Sequence, residues 1–423
     1  MASSESKRWM IMSGKNGDLP RFSAAKLGKD LLDENPAAKD AGGRLYAYHD
    51  DRWQPDGKEF YAKVVRDWLA ETWLPKHASE VLQWISDGAP KLDASPPLDR
   101  IRVLNGILMI GKDRVTLEPH SPDPLTPVCL PVTYDRRAKC PTFTRFMRQA
   151  LDKNVRLTAQ EVMGYVLLPD NKQQKAFLAQ GGGGNGKTTW VRVICELLGR
   201  ENYSAHSLHS LDEDKFAVAD LYGKLANVCA DISSNELSSS ARFRAITGGD
   251  PIQGEHKFMP SFKFVPYSRL IFSANKFPPI KNPTNALFDR WIVIPFEKRF
   301  RGTENEDRDL LKKLLTPEEM SGVLNYALEG YFRLRRNGGF TVAKSSTRAL
   351  DDFRLAADTV AAFVRDEMKE PDFYPRTNVY LMFEQWCNES GHVKMSRNQF
   401  YERLSDLIGN PVKVRGAHGW RVR

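Results

Sequence analysis

Cysteine is scarce in this 423-residue sequence: there are five, at positions 129, 140, 195, 229 and 387, with no C-x-x-C pair and no familiar zinc spacing. Reduced, packed thiols are therefore expected, rather than a disulfide framework or a structural metal. No stretch approaches the ~18 uninterrupted apolar residues of a membrane helix, and the N-terminus MASSESKRWM has no signal-peptide apolar core. A soluble protein of a host cytoplasm, with no membrane partner, is the expectation. No internal repeat is visible. Acidic residues are in deficit, 53 against 62 basic, giving a formal charge of +9 and a pI near 9.1. That balance favours a polyanionic partner without naming it. The length suggests about two to four domains.

What is present begins with Gly181-Gly-Gly-Gly-Asn-Gly-Lys-Thr, which fits the P-loop template G-x-x-x-x-G-K-[ST] throughout. An apolar run, Ala176-Phe-Leu-Ala, precedes it as a buried strand would, and helical spacing continues from Trp190 to a stop at Gly199. Glycines let backbone N–H groups and a helix N-terminus face phosphates. Gly181, Gly182, Gly183, Gly184, Asn185, Gly186, Lys187, Thr188 and Thr189 are thus the candidate nucleotide-binding residues, with Lys187 on the β- and γ-phosphates and Thr188 on Mg²⁺. A flexible Gly-rich turn is the bland alternative, which the strand and helix on either side disfavour.

Further along, Lys224 to Asp231 is an apolar strand with a carboxylate at its C-terminal end, where an acid holding Mg²⁺ opposite the P-loop hydroxyl belongs. Alone, such an aspartate is more often a turn or helix cap. Arg269-Leu-Ile-Phe-Ser-Ala-Asn275 is another apolar strand, and its terminal Asn275 can orient the attacking water. Phe288-Asp-Arg290-Trp-Ile-Val-Ile-Pro-Phe sets an arginine ahead of a fourth strand, where it can reach a neighbouring subunit's γ-phosphate or simply form a surface salt bridge.

The remainder reads as flanking units. Residues 1–20 are polar and read as a flexible arm. Next come helical spacing from Ser23, a hairpin pattern over Gly43–Pro55 and helical spacing from Phe60 to Ile85, with Val65, Leu69, Val81 and Trp84 among the residues available for a core. Ile101–Val132 reads as short strands, and Thr142–Leu168 as two helices. Beyond a boundary at Arg336-Asn-Gly-Gly, Thr347–Glu370, Val379–Cys387 and the segment capped by Ser396 read as three helices, succeeded by two strands, Val412–Arg415 and Trp420–Arg423, around the turn Gly416-Ala-His-Gly. From His392 on, seven basic residues (Lys394, Arg397, Arg403, Lys413, Arg415, Arg421, Arg423) face two acids (Glu402, Asp406). Recognition helix and wing both look suited to duplex DNA, although winged helices also bind proteins.

The Gly-rich loop ending Asn-Gly-Lys-Thr, the strand ending Cys-Ala-Asp-Ile-Ser, Ile246-Thr-Gly-Gly-Asp-Pro-Ile, Phe-Ser-Ala-Asn and Phe-Asp-Arg-Trp-Ile-Val-Ile-Pro-Phe, in that order, resemble the superfamily 3 helicases. More closely, they look like the helicase part of phage and plasmid primase-helicases, the group that includes the poxvirus D5-type proteins. Asn105-Gly-Ile-Leu and Cys140-Pro-Thr-Phe look like the helical domain that precedes it there. The resemblance implies an α/β fold: an N-terminal, mainly helical domain over 21–168 with a small hairpin, an AAA+ P-loop ATPase core over 169–336, and a winged helix-turn-helix over 343–423. It implies a ring, usually of six subunits, that uses ATP and Mg²⁺ to translocate 3′ to 5′ on single-stranded DNA, with Lys187, Asp231, Asn275 and Arg290 as catalytic residues and Thr188 and Asp231 on the metal. It also places a DNA-gripping hairpin between Asp250 and Phe264, where His256, Lys257 and Phe258 match by position, a cation to track phosphates and an aromatic to stack. In the C-terminal unit it assigns DNA contacts to Arg397, Lys413, Arg415 and Arg421.

Two departures stand out. Asp231 is succeeded by Ile232 instead of a second acid, leaving Glu236 as a weak candidate for the base. Asp50-Asp51 sits in a turn, and no primase activity is inferred. The primary expectation is an ATP-dependent DNA helicase of a mobile element's replication system, acting on single-stranded and forked DNA with a separate primase or polymerase. The alternative is a replication initiator in which ATP controls assembly and DNA melting. A small-molecule P-loop kinase leaves the lysine-tipped hairpin unexplained.

Overall fold

The computed structural model describes residues 6–11, 21–93, 95–230, 241–257, 260–275, 284–369, 372–392, 394–414 and 416–422. At the N-terminus β1 (Met10–Ile11) pairs antiparallel with β2 (Arg21–Phe22), ahead of α1 (Ala24–Glu34), whose cap Ser23 accepts from the Lys26 amide. β3 (Ala37–Lys39), β4 (Leu45–His49) and β5 (Arg52–Gln54) make a small antiparallel sheet. Its β4–β5 turn is Asp50-Asp51, at φ +48° and +61°, the left-handed pair that a two-residue hairpin turn demands. The helical pattern of Phe60–Ile85 divides into α2 (Gly57–Leu69) and α3 (Pro75–Gly88), because Pro75 supplies no N–H to continue a helix and instead starts one.

Two expectations change here. The arm is not loose over residues 6–11: Trp9 is buried, stacks on Trp68 at 5.6 Å and donates its indole N–H to Asp30 at 2.8 Å. One large aromatic supplies enough apolar area to pin a short segment. Val65, Leu69 and Val81 join the core as expected, but Trp84 remains 39 % exposed, its ring laid over Gly28.

β6 (Arg100–Val103), β7 (Gly106–Ile110) and β8 (Val115–Glu118) form an antiparallel meander whose apolar face shares one continuous core with α4 (Pro141–Ala150) and α5 (Lys153–Tyr165). The central element is a five-stranded parallel sheet. It takes β9 (Ala176–Gln180), β10 (Tyr203–Ser204) and β11 (Ala226–Cys229), then passes over the separate hairpin β12 (Ile252–Gly254) and β13 (Phe262–Phe264), and finishes with β14 (Arg269–Ala274) and β15 (Trp291–Pro295). The spatial order is β10-β11-β14-β9-β15. Alternate residues feed two cores: Phe177, Ile271 and Ile294 on one face, Leu178, Phe272 and Trp291 on the other. Coverage on both faces explains why these strands read as unbroken apolar runs.

Around the sheet lie α6 (Lys187–Leu198), α7 (Leu208–Glu213), α8 (Lys215–Ala219), α9 (Ala241–Gly248), α10 (Asn285–Phe288), α11 (Leu310–Leu314) and α12 (Pro317–Asn337). α12 crosses α5 so closely that a Cβ on Gly164 would lie 2.2 Å from the Ala327 carbonyl, and one on Gly330 2.2 Å from that of Gln160. Beside this crossing, the fully buried Glu161 accepts from Arg333 Nε and from the amide and hydroxyl of Thr341, each at 2.7 Å. A buried carboxylate is tolerable there because it is paired and fully hydrogen-bonded.

The helix expected over Thr347–Glu370 is two, α13 (Lys344–Ala357) and α14 (Thr359–Glu367), separated at Asp358. Asp358 caps α14 by accepting from the Val360 and Ala361 amides, so the backbone must leave the helix there. α13 packs on the central sheet, with Phe353 edge-on to Phe288 and Trp291. The separate C-terminal core therefore starts at Val360. It contains α14, β16 (Phe373–Pro375), α15 (Arg376–Ser390), α16 (Arg397–Ile408), β17 (Val412–Val414) and β18 (Ala417–Arg421), with sheet order β16-β18-β17. Ser396 and Gln399 form a reciprocal capping box at α16. All five cysteines are free, and burial pushes Cys140 and Cys195 up to about 11, as packed thiols require. Among the described residues no helix is long and apolar enough to cross a membrane.

Candidate nucleotide site

The Gly-rich loop leaves the C-terminal end of β9, an interior strand between β14 and the edge strand β15, on the side where open parallel sheets collect ligands. Gly184 and Gly186 take φ of +75° and +91°, and neither has room for a side chain: added Cβ atoms would meet Arg301 Cβ at 2.5 Å and the Phe146 ring at 2.8 Å. Asn185 is buried and staples the loop to the residue just past β15, donating to the Phe296 carbonyl at 2.7 Å. Lys187, 5 % exposed, opens α6 and turns its ammonium back into the loop. It donates to the Gly181 carbonyl at 2.6 Å, to Asn185 Oδ1 at 3.3 Å and to Asn275 Oδ1 at 3.0 Å. Asn275 arrives because β14 is the strand beside β9 and ends level with it, Ala274 opposite Gln180.

These groups border a cleft of about 360 Å³ that also takes in Ala230, Ser273 and Arg301. Thr188 is exposed at its mouth, a hydroxyl oxygen suited to a hard cation. The second expected metal ligand, Asp231, and the weak candidate base Glu236 lie outside the described residues; Ala230 on the cleft wall is the residue before Asp231. Gly182 and Gly183 are exposed, with no heavy atom near their Cβ positions, so the loop's outer side is open. The arrangement fits a polyphosphate: backbone amides, a helix N-terminus and an ammonium converge on one space.

A residue that sequence reasoning missed is Arg301. Its amide and that of Phe300 both donate to the Gly184 carbonyl, at 3.1 and 2.8 Å, clamping the segment after β15 onto the loop. The only sequence signal was the density of cations in Glu297-Lys-Arg-Phe-Arg301. Arg301 also borders a second cleft of about 580 Å³, which shares Gly184, Gly186 and Thr189 and runs between α4 and residues 300–313. The joined space is large enough for a base and sugar as well as phosphates. The more voluminous cleft between β3–β5 and the Tyr222 turn, about 620 Å³, has no comparable phosphate cradle.

Arg290 is not brought to this site. It precedes β15, whose register with β9 puts it at the opposite end of the sheet, about five residues or ~17 Å from the loop. There its Nη1 donates to the Ala286 carbonyl at 2.7 Å, and its Nε is buried with no hydrogen-bond partner among the described residues. Neighbouring Lys175 donates to the Asp289 carbonyl, and burial lowers the pKa of its ammonium.

The expected hairpin is β12–β13, in the register Ile252↔Phe264, Gln253↔Lys263 and Gly254↔Phe262. Lys257 is exposed in the connection, while His256 stacks on Phe262 at 5.3 Å; Phe258 lies outside the described residues. The hairpin is held along β13 by Tyr222 against Phe262 and Phe264, and at the start of its connection by a 2.7 Å Lys215–Glu255 ion pair. In the C-terminal unit Arg397, Lys413 and Arg421 are exposed, and Arg415 lies outside the described residues. Arg403, counted among the basic residues suited to DNA, is instead buried against Asp358.

Three family models match the chain: "D5 N terminal like" over residues 2–152, a family of unknown function (DUF5906) over 179–290, and "Poxvirus D5 protein-like" over 355–423. Among curated proteins it is 24 % identical over 302 residues to "Putative helicase 121R" of Invertebrate iridescent virus 3, covering 60 % of this chain and 31 % of that one. It is 22 % identical over 242 residues to "Putative helicase L207/L206" of Acanthamoeba polyphaga mimivirus, covering 52 % of this chain and 25 % of that one. The chain thus spans under a third of the length of these relatives. Among solved structures it is similar to the apo C-terminal region of NrS-1, with a TM-score of 0.55 at 12 % identity, covering 94 % of this chain and 98 % of that one. A second apo structure of that region, residues 305–718, gives a TM-score of 0.54.

Proposed function

For a chain that belongs to the D5-like primase-helicase family, we propose the activity of an ATP- and Mg²⁺-dependent DNA helicase built on an AAA+ core. The observation that carries this reading is the meeting of Lys187 and Asn275 at the C-terminal edge of the β10-β11-β14-β9-β15 sheet, in a cleft shaped for phosphates. Lys187 neutralises charge on the transferring phosphoryl group, and Asn275 exchanges its lysine partner for the attacking water when phosphate arrives. Thr188, with Asp231, would hold Mg²⁺, which would supply further charge compensation.

The distance of Arg290 from its own loop supports an inter-subunit role, in which it completes the site of the next subunit in a ring, usually of six. β12–β13 would then face the channel and track the phosphates of a single strand through Lys257. Three helices and the β16-β18-β17 sheet support a winged helix-turn-helix in the C-terminal unit. That unit also favours a second reading, an initiator that melts an origin without processive unwinding. ATP-dependent strand displacement on a forked duplex distinguishes the two: length-dependent unwinding supports the helicase, and ATP hydrolysis without displacement overturns it.

A further inference from the structure

A winged helix ordinarily offers its third helix to the groove, but here the charges are distributed otherwise. The solvent stripe of α16 runs Asn398, Glu402, Asp406 at four-residue spacing, so two carboxylates occupy the surface that would meet phosphates. The helix has two cations. Arg403 is spent internally: it is 7 % exposed, with Nη2 and Nε at 2.6 and 2.8 Å from the fully buried Asp358 carboxylate, and its Nη1 lies 3.7 Å from Asp406, leaving Glu402 as the stripe's acid without an ion pair among the described residues. Arg397 is exposed at the first turn, its guanidinium 4.9 Å from the Tyr380 ring. With Arg403 neutralised by Asp358, the exposed face of the helix is net negative.

The β17–β18 hairpin is the opposite case. From Gly409 to Arg423 the sequence has no acidic residue and includes Lys413, Arg415, His418, Arg421 and Arg423. Lys413 stands directly across from His418 in the antiparallel register, so both point to one face. Arg421, three residues beyond His418 on the same strand, points to the other. All three are exposed. Asp372, beside β16, has a carboxylate that already accepts from the Phe373 amide. A ribbon with cations on both faces and no carboxylate fits between two phosphate backbones, where a single-faced patch would engage only one.

We propose that the β17–β18 hairpin, and not α16, is the element that grips duplex DNA, entering a groove with Lys413 on one side and Arg421 on the other. This rests on the reading of the C-terminal unit as a duplex-binding winged helix. The test is fluorescence anisotropy of the full chain on a blunt duplex without nucleotide, across a salt series. Lys413→Glu and Arg421→Glu should each weaken binding several-fold. Together they should cost at least tenfold and reduce the salt slope by about 2, the expected loss for two phosphate contacts. The neutral pair Lys413→Gln with Arg421→Gln should fall between, and thermal melts confirm that each variant folds. Glu402→Gln with Asp406→Asn should bind as well as the parent or better. If Asn398→Ala with Glu402→Gln abolishes binding while the hairpin variants leave it intact, α16 is the reader and the proposal is overturned. If neither set moves duplex affinity, the C-terminal unit does not bind duplex DNA, and the underlying reading fails with it.

Discussion

The Lys187 ammonium and the Asn275 side-chain oxygen lie 3.0 Å apart, although 88 residues separate them in the chain. The contact joins the Gly-rich loop to the neighbouring strand end. Lys187 also holds the Gly181 carbonyl, so the loop is shaped around its own lysine. On the proposed reading, phosphate would take that ammonium from Asn275 and leave the amide for water.

Lys187→Ala should therefore nearly abolish ATP hydrolysis, by removing the point charge at the transferring group. Asn275→Ala should retain ATP binding but lose turnover, by about 10² or more, because the lost interaction acts on the water and not on the bound phosphates. Binding of a fluorescent ATP analogue together with phosphate release checks both. Undiminished turnover in Lys187→Ala would remove the nucleotide assignment.

Arg301→Ala keeps the backbone clamp on Gly184 and removes only the guanidinium, which borders both clefts. A charge-assisted hydrogen bond contributes about 1.5–3 kcal/mol, so the KM for ATP should rise roughly ten- to hundredfold with a smaller change in kcat. Steady-state kinetics decide it. An unchanged KM would mean that only the backbone of Arg301, through its bond to Gly184, matters.

For Arg290 the measurement is complementation. Arg290→Ala should slow hydrolysis by about 10³ or more, as for arginine fingers, while ATP binding changes little. Mixing it with Lys187→Ala protein should restore activity at interfaces that pair an intact lysine with an intact arginine. Normal hydrolysis by Arg290→Ala alone, with no gain on mixing, would make the residue a surface charge.

Lys257→Ala should leave ATPase activity without DNA largely intact, while reducing its stimulation by single strands and the unwinding rate. Titration with single-stranded DNA at fixed ATP reads this directly. Stimulation equal to that of the parent would contradict the channel-hairpin reading.

Arg333→Ala should destabilise the protein by about 3–5 kcal/mol, since it strands the Glu161 carboxylate, which is fully buried, without its charge partner. Glu161→Gln should cost less, because the charge it leaves behind, Arg333, is partly exposed and keeps its bonds to the Gln160 side chain and the Leu157 carbonyl. Denaturant midpoints compare the two.

How much of the fold and of the site is legible in the sequence depends on how local each signal is. The run from Gly181 to Thr188 is one contiguous loop, and the strands on either side are buried on both faces, so motif and context are readable together. Asn275 can be found as a strand end, but its approach to Lys187 depends on β14 lying beside β9, which no local pattern encodes. Arg301 escapes for the same reason, since its significance lies in contact with Gly184, more than a hundred residues away in the chain. At Asp358 the apolar spacing of Phe353, Ala357, Val360 and Phe363 runs on unbroken and so reads as one helix. The break is fixed by the cap and by Arg403, 45 residues later. Trp9 shows the converse error, a polar stretch judged by its average when one side chain decides it.

The crossing of α5 and α12 has a topological consequence. Thr341, just past α12, is held by Glu161, and its carbonyl oxygen accepts from the Thr158 hydroxyl at 2.6 Å, so the chain returns to the helix by which it entered before α13 packs on the sheet. Residues 158 to 341 thus form one loop closed at its neck, and every strand of the parallel sheet is threaded between two points that these bonds hold together.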